Sequence, residues 1–151
     1  MRKIILAIIA LLAFSLLSTN ESSAKKTIAK KAASGWKLEI SEVGANKLFR
    51  LVFKEFKNGK EFKIMTVNDK SFLYGEDEKT IYKIDLTNEN DVLVLNTKAF
   101  GESCSGVNCS KCEFAKEGGC NCTKAGTTGS AYCNHSISSI ELTPEDFGTI
   151  N

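Results

Sequence analysis

Six cysteines confined to residues 104–133 constrain this chain more than any other feature of its sequence. They follow the spacing Cys-x4-Cys-x2-Cys-x7-Cys-x-Cys-x10-Cys, and the rest of the 151 residues contains no cysteine. Among them stand mostly Gly, Ser, Asn, Thr and Lys, with Val107, Phe114 and Tyr132 as the only large apolar side chains. Because such a segment cannot form a hydrophobic core of its own, covalent or metal cross-links must hold it.

The N-terminal residues predict export. Met1-Arg2-Lys3 gives a positive start, an apolar run from Ile4 to Leu17 follows, and the small residues Ser22 and Ala24 end the segment. A spanning helix needs about 20 apolar residues, which is more than this run supplies. We therefore interpret residues 1–24 as a cleavable signal peptide. No later segment is apolar enough to span a membrane, so we expect a secreted or periplasmic protein.

Export to an oxidising compartment favours disulfides over free thiols. An even number of clustered cysteines predicts three bridges and no cofactor. Six cysteines can pair in many ways, and only a bridge between Cys120 and Cys122 is excluded, because those two residues are too close in the chain. The expected participants are Cys104, Cys109, Cys112, Cys120, Cys122 and Cys133.

Metal binding and thiol chemistry are the alternatives for the same residues. Four thiolates, or three and an imidazole, make a good tetrahedral zinc site. The candidate ligands are Cys109, Cys112, Cys120, Cys122, Cys133 and His135, which is the only histidine in the chain. The spacing from Cys104 to Cys112 also matches three ligands of a plant-type [2Fe–2S] cluster, and Cys109-x2-Cys112 has the spacing of a thiol-redox motif.

Ahead of the cysteines, apolar residues recur mainly at period two, as in half-buried strands. Trp36, Leu38 and Ile40 alternate with polar residues. Short strands are predicted at 71–74, 80–86 and 92–95, separated by turns rich in Asp, Glu and Asn. The sequence therefore predicts a mainly β protein: an antiparallel meander, sandwich or small barrel over residues 36–100, with a C-terminal loop module stapled by disulfides.

Asn58-Gly59 is the strongest hairpin signal in this region, because a type I′ turn needs positive φ at both central residues. It predicts that strand 48–57 pairs with strand 60–67 and that Phe53 lies opposite Ile64. This register gathers the large apolar side chains on one face, as a core stripe of Phe49, Leu51, Phe53, Phe62 and Ile64.

Charge divides the chain further. The formal net charge is only +2, which does not favour nucleic acid as a partner. Lysines dominate residues 25–37, and the first acid of the mature chain is Glu39. We expect a basic flexible arm at 25–35, the β-rich body at 36–100, the cysteine-rich module at 101–136 and a C-terminal segment at 137–151.

Two resemblances concern the cysteine-rich module. Cys120-x-Cys122, followed by Gly126 and Gly129, resembles epidermal-growth-factor-like modules, which implies the pairs 104–112, 109–120 and 122–133. The tail as a whole, with CSGVNCSKC, GCNC and YCNH, is similar to the end of small exported bacterial proteins of unknown function. That second resemblance implies a bacterial, exported protein and carries no activity.

The sequence contains no motif that indicates catalysis, and its exposed loops are the candidates for function. The sequence has no glycine-rich phosphate loop, no paired-carboxylate spacing and no Ser-His-Asp set, so we expect a non-enzymatic protein. Exposed loops on a rigid scaffold are the usual place for recognition. We expect the loops 112–120 and 122–133 to bind a surface, a polymer or another protein, with metal binding or thiol redox chemistry as the alternative.

Overall fold

The computed structural model describes residues 24–124 and 129–151, and the signal-peptide prediction lies largely outside them. The protein is mainly β with an antiparallel sheet that is nearly barrel-shaped, which confirms the predicted class. The ten strands described are β1 Lys25–Ala32, β2 Gly35–Leu38, β3 Lys60–Val67, β4 Lys70–Asp77, β5 Thr80–Glu89, β6 Val92–Asn96, β7 Lys98–Val107, β8 Cys109–Phe114, β9 Cys120–Lys124 and β10 Tyr132–Glu141. The two helices described are α1 Glu42–Val52 and α2 Pro144–Thr149.

Strand β5 joins the two parts of the main sheet. Its residues 80–86 lie between β4 and β7, and β3 and β10 continue the sheet on either side. Its last residues, 87–89, pair instead with β6, which leads through β1 to β2. Strands β8 and β9 form a separate two-stranded hairpin. The predicted strands at 71–74, 80–86 and 92–95 are confirmed within β4, β5 and β6.

The predicted strand at 48–57 is wrong, because this region begins with helix α1. Ala45, Leu48, Phe49 and Val52 recur at helical spacing and are all buried. Ser41 caps the helix by accepting a hydrogen bond from the Gly44 N–H at 3.0 Å. Phe49 and Phe53 are four residues apart, which fits the helical period of 3.6 residues as well as the period of two that predicts a strand.

The predicted hairpin around Asn58-Gly59 is also wrong, because residues before it form a helix and not a strand. Neither Asn58 nor Gly59 has the positive φ that a type I′ turn requires. Ile64 pairs with Leu73 of β4 and not with Phe53. Strand β3 itself is confirmed. Its tight turn to β4 is formed by Asn68 and Asp69, whose φ angles are 49° and 62°. A two-residue turn with positive φ at both positions has the twist that a hairpin needs.

The predicted flexible arm is also wrong, since most of it forms strand β1 between β2 and β6. Ile28 and Ala29 are fully buried there. The lysines of β1 make ion pairs with acids of other segments, Lys25 with Glu89, Lys30 with Glu39 and Lys31 with Asp91. The basic run therefore complements acidic residues of other segments, two of which are about 60 residues away in sequence.

The main core lies between helix α1 and the inner face of the sheet. Phe49 is at its centre, with ring centroids 5.1 Å from Phe56, 5.3 Å from Phe62 and 6.0 Å from Phe53. The aromatic stripe is thus core, as predicted, although α1 supplies part of it. No helix in the described ranges is long and apolar enough to cross a membrane.

The C-terminal part of the chain is integrated into the body. Strands β7 and β10 pair over ten residue positions inside the main sheet. Only the β8–β9 hairpin lies apart, on the outer face of β5, β7 and the first residues of β10. After β10, a capping box between Thr143 and Asp146 starts α2, which buries Phe147.

Candidate functional site

Three disulfides fasten the β8–β9 hairpin to the sheet. Cys104 on β7 bonds to Cys120 on β9, Cys109 to Cys122 across the hairpin, and Cys112 on β8 to Cys133 on β10. The prediction of three bridges is therefore confirmed. The pairing implied by the epidermal-growth-factor-like resemblance is wrong, because each cysteine bonds to the one three places further on in the series.

A small second core lies under the hairpin. Ile81, Cys104 and Cys112 are buried in it, and Tyr74 and Phe114 pack around them. Gly106 on β7 permits the close approach, since a Cβ there would lie 3.0 Å from Cys112 Sγ. The hairpin thus covers one end of the outer face and leaves the rest of that face open.

Lys83, Glu102 and His135 form a linked polar network beside this core. Lys83 Nζ lies 3.0 Å from Glu102 Oε1, and His135 Nε2 lies 2.8 Å from Glu102 Oε2. Lys83 Nζ also lies 4.6 Å from the Phe72 ring centroid and 4.8 Å from that of Phe114. The Lys83 side chain is only 13% exposed, and its ammonium group contacts the Glu102 carboxylate and two aromatic faces.

The network perturbs two carboxyl groups in opposite directions. Burial alone would raise the pKa of Glu102, but hydrogen bonds and charge from Lys83 and His135 outweigh it and lower that pKa. Burial raises the pKa of Asp85, and the charges of Lys83 and Lys70 offset this only in part. Glu102 is therefore a fixed anion inside the network, whereas Asp85 has an ionised form that the protein disfavours.

A groove of about 440 Å³ opens between this network and the tip of the hairpin. Its floor carries Phe72, Lys83 and Asp85, and its walls are Met65 and Val67 on β3 and residues 114–118 on the other side. Asn68 bridges the two walls by donating to the Lys116 carbonyl at 3.3 Å. The predicted loop 112–120 therefore lines a cavity within the size range of ligand sites.

Sequence reasoning missed the floor of this groove. Ile81, Lys83 and Asp85 alternate with the core residues Tyr82 and Ile84 along β5, so the period-two pattern assigns them to the opposite face. That pattern does not show that a disulfide-held hairpin partly covers this face. The other predicted binding loop, 122–133, lies partly outside the described residues.

The sulfur atoms of Cys109, Cys122 and Cys133 lie within 4.8 Å of one another. Cys109 Sγ and Cys133 Sγ, from different disulfides, are 3.7 Å apart. Oxidised sulfurs are not thiolates, so a metal requires prior reduction of the bridges. His135 is engaged with Glu102 and does not belong to this three-sulfur group, and Cys120 bonds to Cys104 elsewhere.

The iron–sulfur and redox interpretations do not match the geometry. Cys104, Cys109 and Cys112 belong to three different disulfides, so the plant-type ferredoxin spacing does not gather them as ligands. Cys109 and Cys112 lie on strand β8, whereas a reactive Cys-x2-Cys pair requires a helix start. Cys109 and Cys112 also form no disulfide with each other, as the oxidised form of such a motif would.

Similarity adds nothing to the geometry of this site. No protein-family model, no curated protein and no solved structure matches this chain.

Proposed function

We propose that this chain is an exported, non-enzymatic binding protein that holds a segment of a partner protein in the groove between β3 and the β8–β9 hairpin. Export is supported by the signal-like residues 1–24 and is compatible with three disulfides. The observation that carries the proposal is the clamped Lys83, which fixes the floor of the groove before any ligand arrives.

The lining of the groove favours a peptide-like ligand. Met65, Val67, Phe72 and Phe114 offer apolar contact, and Asp85 and Lys116 supply charges of both signs. Such a mixture suits a short chain segment with apolar and charged side chains. A polysaccharide is less well matched, because Phe72 and Phe114 turn their faces to Lys83 and do not form an open stacking platform.

A displayed library of random peptides, selected on the immobilised mature protein, tests this function. We expect enriched peptides to bind the wild type at least about tenfold more tightly than Phe114→Ala, which corresponds to about 1.4 kcal/mol. Val43→Ala is the control, because Val43 is an exposed apolar residue on α1, away from the groove. A library without enrichment, or peptides that bind Phe114→Ala equally well, would contradict the proposal.

Binding to a surface polymer is tested in parallel. The same proteins are sedimented with insoluble cell-wall polysaccharide. Strong retention that survives Phe114→Ala would assign recognition to a polymer and to another surface of the protein.

A second candidate function is binding of a soft metal by the reduced protein. The convergence of Cys109, Cys122 and Cys133 supports it, because three thiolates can share one zinc ion. Zinc titration after reduction by a phosphine, which unlike a thiol does not compete for zinc as a thiolate, is expected to give one equivalent bound, and Cys133→Ser is expected to weaken that binding. Equal zinc affinity of Cys133→Ser and of the wild type would contradict it.

A further inference from the structure

Strand β10 ends the sheet on the side of β7. It pairs with β7 from Tyr132 to Glu141 without a register shift, and it has no second strand partner in the described part of the chain. Its outer face carries Ile137, which is 73% exposed, and the neighbouring Phe100 on β7 is 42% exposed. A long, regular edge strand with exposed apolar residues is a site where further strands pair.

The hydrogen-bonding direction of β10 can be assigned from its end. The Leu142 N–H donates to the Thr97 carbonyl of the β7 side at 2.6 Å. Because backbone groups alternate between the two sides of an antiparallel strand, the even-numbered residues of β10 face β7. The N–H and C=O groups of His135, Ile137 and Ser139 therefore point to the open side, and no hydrogen bond within residues 24–124 and 129–151 reaches them.

The other edges of the main sheet carry features that discourage pairing. Strand β2 has only four residues. Strand β3 has an irregularity between Lys60 and Lys63, and Glu61 there has a φ of 58°. Short length, bulges and lysines are the usual protections of an edge strand. Between Tyr132 and Ile140, β10 contains no lysine, no proline and no bulge.

An open groove of about 780 Å³ runs along β10. Seven consecutive residues, Asn134 to Ile140, line it on one side, and residues 51–55 at and after the end of α1 line it on the other. Thr80 of β5 and Ser103 and Ser105 of β7 extend it over the inner face of the sheet. Successive side chains of a strand point to opposite faces of the sheet, so a groove on one face alone is lined by every second residue. Because consecutive residues of β10 line this groove, it includes the edge of the strand. The groove therefore reaches the unpaired backbone groups of β10 from the inner face of the sheet.

We propose that this edge binds an extended segment of a partner protein as an added strand. The outer-face side chains of that segment would lie beside Ile137 and Phe100 and would be apolar. Its inner-face side chains would lie beside Ser136 and Ser138, with Lys54 and Glu55 across the groove, and would be polar. The expected ligand has apolar residues at every second position, with the backbone supplying most of the hydrogen bonds.

A second copy of this chain fits less well. If two β10 strands paired antiparallel about a two-fold axis, the inner faces of both sheets would lie on the same side of the joined sheet. Ser138 Oγ donates to the Val52 carbonyl at 2.6 Å, so each copy would bring its own residues 51–55 to that side. Both segments would compete for the space of one groove, whereas a partner segment brings no such obstacle.

The test uses the ¹⁵N-labelled mature protein and a ten-residue peptide with Val at alternate positions and Thr or Lys between them. Two matched peptides carry N-methyl groups on one or the other alternating set of residues. We expect only one of these two to bind, because only one set directs its N–H groups to β10. Binding should slow amide exchange at Ile137 and Ser139 by at least about tenfold and leave Ser138 unchanged.

Protein variants control for adhesion of apolar side chains. Ile137→Lys is expected to weaken peptide binding at least about tenfold, since lysine protects edges, and Val43→Lys on α1 is expected to leave it unchanged. Equal binding of both N-methylated peptides, or no protection at Ile137 and Ser139, would overturn the proposal. Protection of these amides without peptide, lost on dilution, would assign the edge to a second copy. The outcome does not depend on the groove at Phe114.

Discussion

Gly106 of strand β7 lies directly beneath Cys112 of the hairpin. A Cβ on Gly106 would lie 3.0 Å from Cys112 Sγ and 2.9 Å from Cys109 Cβ. The φ of Gly106 is not positive, so its role is close approach and not backbone freedom. This contact, together with the disulfides to β7 and β10, lets the hairpin, and therefore one wall of the groove, lie close to the sheet.

Gly106→Ala is predicted to destabilise the protein by about 1–3 kcal/mol, because a new methyl group would overpack a site held by disulfides. The melting temperature and the amide exchange of β8 and β9 measure the effect. Gly148→Ala is the control, since a Cβ there meets nothing within 4 Å. Equal melting temperatures for the two variants would contradict the described position of the hairpin.

Glu102 predicts a loss of stability in acid. Its pKa in the folded protein is below the ordinary value of 4.5, so its ionised form favours the folded state. That contribution is present above pH 4.5 and is lost as the pH falls through the lowered pKa. Glu102→Gln should therefore unfold more easily than the wild type at pH 7, and the difference should shrink in acid. A difference that is independent of pH would contradict the network.

The raised pKa of Asp85 predicts the opposite change of stability with pH. Its pKa in the folded protein is above the ordinary value of 3.8, so the ionised form disfavours folding. The penalty is absent below pH 3.8 and grows as the pH rises through the raised pKa. Asp85→Asn should be more stable than the wild type at pH 7 and equal to it in strong acid, by denaturant titration. Lower stability of Asp85→Asn at pH 7 would show that Asp85 has a stabilising partner.

The sequence predicted the fold class and the chemistry of the cysteines, and the reasons are local. Strands β4, β5 and β6 have clear alternation and polar turns, and clustered cysteines together with a predicted export signal favour disulfides. Helix α1 was missed because Phe49 and Phe53 satisfy both a period of two and a period of 3.6. The spacing of Ala45, Leu48 and Val52, with Ser41 before them, was the signal that separates the two.

The candidate site was only half predictable. The loop 112–120 was singled out, but the floor of its groove depends on register between strands that are distant in sequence. Lys83 meets Glu102 because β5 pairs with β7, and meets Phe114 because Cys104 bonds to Cys120. Disulfide pairing and strand register are tertiary properties, which spacing alone does not specify.

Asn46 on α1 fixes the backbone at Gly59, where the sequence predicts a hairpin turn. It accepts a hydrogen bond from the Gly59 N–H at 2.8 Å and donates to the Gly59 carbonyl at 3.2 Å, both in the interior. Asn46→Ala leaves both groups buried without partners, at a cost of about 1–3 kcal/mol. Asn58→Ala, at an exposed position, should be nearly neutral in thermal unfolding. Similar losses for the two variants would contradict this role.

We predict that residues 1–24 are removed on export, so that the mature protein begins at Lys25. Strand β1 starts at this residue, which is paired with Asn96 of β6, so cleavage after Ala24 leaves the strand intact. N-terminal sequencing of exported material measures it. A retained Met1, recovered with membranes, would contradict the signal-peptide interpretation.

The disulfides fasten the hairpin to the sheet and so form the groove between the hairpin and β3. The most direct test is the intact mass, the disulfide map and the metal content of the exported protein, isolated without reductant. We predict a mass lower than that of the reduced protein by one hydrogen for each of the six cysteines, the pairs 104–120, 109–122 and 112–133, and no stoichiometric metal. Free thiols together with one equivalent of zinc, or a different pairing, would contradict it.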